Sequence, residues 1–127
     1  MRYLLDTQIA LWLYEGNEKL SKMAQNIIFN DENEIYISVI SAWEVAIKVS
    51  LKKLDFTGGS EGFLFASEKH GIDIIGIQGD YVVAVEKLPY IHRDPFDRLL
   101  ISTALSEDMT IVTADENIHK YKVSCVW

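Results

Sequence analysis

The stretch Arg2-Tyr3-Leu4-Leu5-Asp6-Thr7-Gln8-Ile9-Ala10-Leu11-Trp12-Leu13-Tyr14 decides the fold class. Arg2–Leu5 is a short apolar run and reads as a buried strand. A helix follows from about Thr7 to Tyr14, and Glu15-Gly16-Asn17 ends it. A short strand passing almost directly into a helix is the opening of an alternating α/β chain.

The same alternation continues outward from this start. Ser21–Asp31 reads as a second helix, with Met23, Ala24, Ile27 and Ile28 at helical spacing, and Glu34–Ile37 as a second strand. Ser41–Leu51 predicts an amphipathic helix, because Ala42, Val45, Ala46 and Val49 share one face. Gly58-Gly59-Ser60 is a turn from which a helix runs to about His70, with Gly71 as its C-cap. Ile72–Ile77 is a third strand and Asp80–Lys87 a helix stopped before Pro89. Asp94-Pro95 opens another helix, Asp94 as N-cap and Pro95 in the first helical position, reaching about Ser106. Thr110–Thr113 is a fourth strand, Asp115–Tyr121 a short helix and Val123–Val126 a last strand. Short strands separated by helices imply a parallel or mostly parallel sheet covered on both faces. In such a sheet, ligands bind beyond the carboxyl ends of the strands.

The 127 residues suit one domain, and 49% hydrophobic content is enough for a core. No repeat, linker or low-complexity tract interrupts them. The one cysteine, Cys125, has no partner for an internal disulfide, so a reducing, cytoplasmic setting is expected. Asp6 and Gln8 break the apolar opening, which has neither a basic n-region nor a small-residue cleavage site. No apolar run reaches the roughly 18 residues of a membrane span. The net charge of −7 counts against binding nucleic acid by phosphate neutralisation alone. It is compatible with an enzyme that meets phosphate through a cation held by clustered carboxylates.

Four acids stand near strand ends or helix starts. Asp6 follows the first strand and Asp115 the fourth, so both belong at the carboxyl edge. Taken singly, each is more readily read as a helix N-cap. Glu44 lies in the first turn or so of its helix, opposite the apolar stripe; there it is either a site residue or a solvated one paired with Lys48 a turn later. Asp97 shares its angular position with Leu100, Ile101 and Ala104, and a carboxylate on a buried stripe is costly unless paired. Its structural alternative is a first-turn acid facing the helix dipole. Packed together, such acids repel one another and call for a hard cation, Mg²⁺ or Mn²⁺. His70, His92 and His119 lack zinc-ligand spacing, and Gly58-Gly59 makes no phosphate-binding loop.

These residues fall into recognisable motifs. Tyr3-Leu4-Leu5-Asp6-Thr7 resembles the start of PIN domains, and Ile37–Lys48 resembles the segment carrying their catalytic Glu. His92-Arg93-Asp94-Pro95-Phe96-Asp97-Arg98-Leu99-Leu100-Ile101 is similar to the motif of one subgroup of VapC-type toxins. Ile111-Val112-Thr113-Ala114-Asp115 resembles the last PIN motif. The resemblance covers essentially the whole chain as a single PIN domain, 1–127. It implies a PIN-like α/β/α sandwich with a central five-stranded parallel sheet. It also implies a Mg²⁺- or Mn²⁺-dependent endoribonuclease, the toxin of a type II toxin–antitoxin pair, cytoplasmic and homodimeric. RNA is then the substrate and a cognate antitoxin the partner. The family's catalytic acids map onto Asp6, Glu44, Asp97 and Asp115, with Asp6, Asp97 and Asp115 as metal ligands. Thr7 and Thr113 match positions where a hydroxyl can serve a carboxylate or a metal-bound water. Asp94 is explained as the cap before Pro95, and Ile118 replaces an aromatic residue common in relatives. Arg98 is open to two roles, a phosphate contact or an ion pair with a neighbouring acid. Lys48, Lys52 and Lys53 form the densest basic group and can meet RNA backbone or simply end a helix. Trp12, Trp43, Phe63 and Phe65 are expected in the core or at an interface.

Two other functions fit the length and class. A PIN fold that has lost catalysis would bind RNA or a partner only. A receiver-type phosphoacceptor domain would need paired acids after the first strand and an acceptor Asp after the third; Asp6 stands alone and Ile72–Ile77 ends without one.

Overall fold

The computed structural model describes residues 1–127. Five strands, β1 (Arg2–Leu5), β2 (Glu34–Ser38), β3 (Asp73–Ile75), β4 (Thr110–Val112) and β5 (Cys125–Val126), form one sheet in the order β3-β2-β1-β4-β5. Every pairing is parallel; Tyr3 is in register with Ile35 on one side and Thr110 on the other. This order differs from the 2-1-3-4-5 arrangement of receiver-type domains, which removes that alternative.

Seven helices, α1 (Thr7–Glu15), α2 (Lys22–Ile28), α3 (Val39–Ser50), α4 (Gly59–Lys69), α5 (Gly79–Val85), α6 (Pro95–Glu107) and α7 (Glu116–His119), connect the strands. The central strand is apolar on both faces because each face meets helices. Leu5 packs with Ile9, Val45 and Phe63 in one cluster, while Leu4 packs with Leu100, Ile101 and Ile118 in the other. Burying each such side chain stabilises the fold by roughly 1.5–3 kcal/mol. The result is the expected three-layer α/β/α arrangement. Ile118 is fully buried, so its replacement of an aromatic is a matter of packing.

Several boundaries differ from the sequence reading. α2 ends at Ile28, α5 spans Gly79–Val85 and β5 begins at Cys125. β2 runs into α3 without a loop: the Ser38 hydroxyl accepts the Ile40 N–H at 3.1 Å and caps a helix starting at Val39, not Ser41. Glu44 therefore lies in the second turn and is buried, at 9% exposure, not solvated. β3 shrinks to Asp73–Ile75, an edge strand with one partner, in which Ile75 packs against the core only in part and Ile72 just before it is buried. α7 keeps only Glu116–His119. Phe63 is core, Trp12 packs on Trp127, and Trp43 and Phe65 are exposed. No helix is long and apolar enough to cross a membrane.

Candidate active site at the carboxyl edge of the sheet

Parallel pairing of β1 and β4 puts Asp6 and Thr113, the residues that follow these two strands, side by side. The Asp6 N–H donates to the Val112 carbonyl at 3.1 Å, so the backbone after β1 is tied to β4. The Thr113 hydroxyl donates to Asp6 Oδ2 at 2.5 Å and accepts the Asp115 N–H at 3.0 Å. One buried threonine thus sets the relation between two acids 109 positions apart in sequence, residues 6 and 115.

Capping and a site role coexist in these acids. Asp6 Oδ1 accepts the Gln8 N–H at 2.8 Å, and Asp115 Oδ1 accepts the Asn117 N–H at 2.8 Å. Each cap uses one oxygen; the other accepts the Thr113 hydroxyl in Asp6 and lies 3.6 Å from His92 Nε2 in Asp115. Asp94 caps α6 through the N–H groups of Phe96, at 2.8 Å, and Asp97, at 3.2 Å. The structure brings Asp6, Glu44, Asp94, Asp97 and Asp115 together around one cleft of about 370 Å³, with Lys48 on its wall. Lys48 Nζ pairs with Glu44 Oε2 at 3.0 Å, one helical turn apart.

Charge is crowded here. Burial pushes the Asp6 carboxyl up, although the Thr113 hydroxyl and the Gln8 N–H hold it back; Glu44 and Asp115 add repulsion. The Asp97 carboxyl is pushed up to about 7, by burial first and then by Asp94 and Asp6, with His92 opposing. A divalent cation relieves such a cluster, and hard oxygen donors are what Mg²⁺ and Mn²⁺ take. The donor set therefore fits the ion that the resemblance implies.

Sequence reading overlooked His92. Its Nε2 lies 2.8 Å from Asp97 Oδ2 and 3.6 Å from Asp115 Oδ2. Zinc-type spacing could not reveal it, because its partners are carboxylates on α6 and after β4. The available signal was its place in the run His92-Arg93-Asp94-Pro95. Ser41 was also overlooked. It is fully buried and accepts the Thr7 hydroxyl at 2.7 Å, so Thr7 bonds neither a carboxylate nor a solvent-facing group.

Two candidate residues lie away from the acids. Arg98 meets neither an acid nor the cleft. Its guanidinium donates to the carbonyls of Pro89 at 3.0 Å and Val85 at 3.1 Å and to Tyr121 Oη at 3.1 Å, and lies 4.8 Å over the Tyr90 ring. Burial of a planar five-donor group demands such partners, and the end of α5 supplies them. Lys52 and Lys53 lie past the end of α3, around a separate depression with Leu54 and Asp55. Only Lys48 of this basic group reaches the acids.

Comparison with known proteins agrees with this fold. Ribonuclease VapC22 of Mycobacterium tuberculosis is 25% identical over 120 residues, which cover 94% of this chain and 91% of that protein. A chain from VapBC2 of Rickettsia felis, crystallised bound to a promoter DNA fragment, superposes with TM-score 0.76 at 20% identity, covering 100% of this chain and 99% of that one. A chain from VapBC-1 of nontypeable Haemophilus influenzae does so with TM-score 0.69 at 16% identity, over 99% and 97%. The PIN domain family model matches residues 3–123. With the fold, the cleft and this match together, the chain belongs to the PIN domain family.

Proposed function

We propose that this protein is a metal-dependent endoribonuclease, the toxin component of a type II toxin–antitoxin pair, built as one PIN domain and working in the cytoplasm. The observation that carries the reading is the convergence of Asp6, Glu44, Asp97 and Asp115 on one cleft beyond the strand ends. Asp6, Asp97 and Asp115 hold Mg²⁺ or Mn²⁺. A divalent ion bound there supplies charge neutralisation, a lowered pKa for water and stabilisation of an RNA phosphate in flight.

The protein's own residues prepare that chemistry. Thr113 fixes the Asp6 carboxylate and, through the Asp115 N–H, the start of α7. Glu44 is held in the cleft wall by Lys48, whose half-exposed ammonium is the cation available to an incoming phosphate. Asp94 fixes the first turn of α6 and hence Asp97. Hydrolysis is expected to leave 5′-phosphate and 3′-hydroxyl ends.

The partner is a cognate antitoxin, in keeping with the VapBC complexes among the structural relatives. The protein works as a homodimer, and exposed apolar side chains such as Trp43, Phe65 and Val83 are available to these contacts.

The decisive experiment incubates the purified protein with total RNA and transfer RNA, in Mg²⁺ or Mn²⁺ against EDTA. Asp6→Asn and Asp97→Asn run in parallel. Cleavage that needs the ion and vanishes in both variants is expected. Cleavage that survives EDTA or persists in both variants would sink the proposal. Absence of both cleavage and ion binding would favour a PIN fold that only binds RNA or protein.

A further inference from the structure

The family reading takes the ion's protein ligands to be carboxylates, yet the side chain nearest to Asp97 is an imidazole. His92 Nε2, Asp97 Oδ2 and Asp115 Oδ2 all lie within 4.8 Å of one another. For bonds of about 2.1 Å, neighbouring ligands of an octahedral ion sit about 3.0 Å apart and opposite ones about 4.2 Å. The imidazole nitrogen is 2.8 Å from one carboxylate oxygen, close to the neighbouring separation, and 3.6 Å from the other, between the neighbouring and the opposite separations. The three atoms thus stand at separations that one shared octahedral ion can span.

The segment carrying His92 is held more firmly than its lack of regular structure suggests. Tyr121 Oη accepts the N–H of His92 at 2.8 Å and that of Ile91 at 3.2 Å. The same oxygen accepts Arg98 Nη1 at 3.1 Å, and Arg98 also grips the Pro89 carbonyl. Arginine, tyrosine and backbone thus fix the Cα of His92 relative to α6, which carries Asp97. Side chains that ligate metals are positioned by supporting bonds of this kind.

Resting on the metal-dependent reading above, we propose that His92 is a direct nitrogen ligand of the catalytic divalent ion, sharing it with Asp97 and Asp115. The chemical consequence is selectivity. Mg²⁺ prefers oxygen, whereas imidazole suits transition ions, so one nitrogen donor shifts preference from Mg²⁺ toward Mn²⁺. Substituting His92 leaves the backbone bonds to Tyr121 intact, so the fold is expected to persist.

The test uses Mn²⁺ itself as probe. Electron spin-echo modulation of the Mn²⁺-loaded protein reports ¹⁴N coupled to the ion, and calorimetric titration gives the Mn²⁺ and Mg²⁺ affinities. The wild type is expected to show imidazole ¹⁴N modulation, and His92→Gln to lose it. That variant is also expected to weaken Mn²⁺ binding about tenfold or more, with a smaller loss for Mg²⁺. Mn²⁺ binding without ¹⁴N modulation in the wild type overturns the assignment while leaving the metal-dependent nuclease intact. Modulation that survives His92→Gln overturns it too. Failure of the wild type to bind Mn²⁺ removes both the assignment and the reading beneath it. The wild-type spectrum decides the matter even if His92→Gln fails to fold, and His92→Asn serves as the second variant.

Discussion

At the scale of single residues, Asp97 shows how an electrostatic cost goes with a site role. Its unfolded counterpart titrates near 3.8, whereas in the fold the carboxyl titrates at about 7. Between these values the folded state holds the extra proton. The contribution of Asp97 to the stability of the ion-free protein is therefore full below about pH 4 and is lost as pH rises through about 7. Protons and cations compete for the same group, so the rise in Tm on adding Mg²⁺ should be larger at pH 8 than at pH 6. A thermal-shift series across that range checks this. Asp97→Asn removes the repulsion. It should raise the ion-free Tm at pH 8 by about 3–6 °C, which is roughly 1 kcal/mol once the water reaching the cleft is allowed for. It should abolish both the Mg²⁺-induced shift and cleavage. A lower ion-free Tm in this variant would contradict the electrostatic account. Thr113→Val keeps the volume but deprives Asp6 Oδ2 and the Asp115 N–H of their partner. Its expected cost is about 1–3 kcal/mol in chemical denaturation, with a loss of metal affinity of about tenfold or more in calorimetric titration.

At the scale of elements, the segment between α5 and α6 is held by an arginine that the sequence offered as a phosphate or carboxylate ligand. Arg98 closes off the carbonyls of Val85 and Pro89 and shares Tyr121 Oη with the backbone that carries His92. Arg98→Met should therefore unfold at lower denaturant by about 2–4 kcal/mol, because the buried Tyr121 hydroxyl and two part-buried carbonyls lose a charged donor at once. Its effect on RNA should come through a loosened segment, seen as faster amide exchange over residues 85–92, and not as a weaker salt dependence of RNA binding. Loss of RNA affinity in a variant of unchanged stability and unchanged exchange would instead return Arg98 to the phosphate. The start of α3 shows the same dependence on tertiary setting. Ser38, the last residue of β2, is also the helix cap, and this junction turns Glu44 into the cleft.

For the whole molecule, stability and chemistry are divided between the two faces and one edge of the sheet. Leu4 and Leu5 are both fully buried, one toward each helical layer. Leu4→Ala should cost about 2–5 kcal/mol in denaturant unfolding, while the layout of the cleft, which depends on backbone pairing between β1 and β4, should keep Mg²⁺ binding in the fraction that remains folded. With a net charge of −7 the protein repels RNA at long range. On the proposed reading, a cation held in the cleft together with Lys48 would be the local means of approach.

The sequence by itself determined the alternating α/β order, the apolar strands and the acids at strand ends. These are local properties: the apolar run of β1, the Asp94-Pro95 helix start and the Thr113-Ala114-Asp115 strand exit are each set by neighbours along the chain. It also carried the family motifs, because those motifs are contiguous. Tertiary structure alone decided which side chains meet. The His92 contacts join a loop, α6 and the residue capping α7. The Arg98 contacts depend on where the end of α5 falls, and Lys48 is separated from Lys52 by the exact end of α3. Periodicity reports which face of an element is buried, but not what lies opposite it. A polar group's role is set by the donor or acceptor that the fold brings within about 3 Å, and that partner can lie anywhere in the chain.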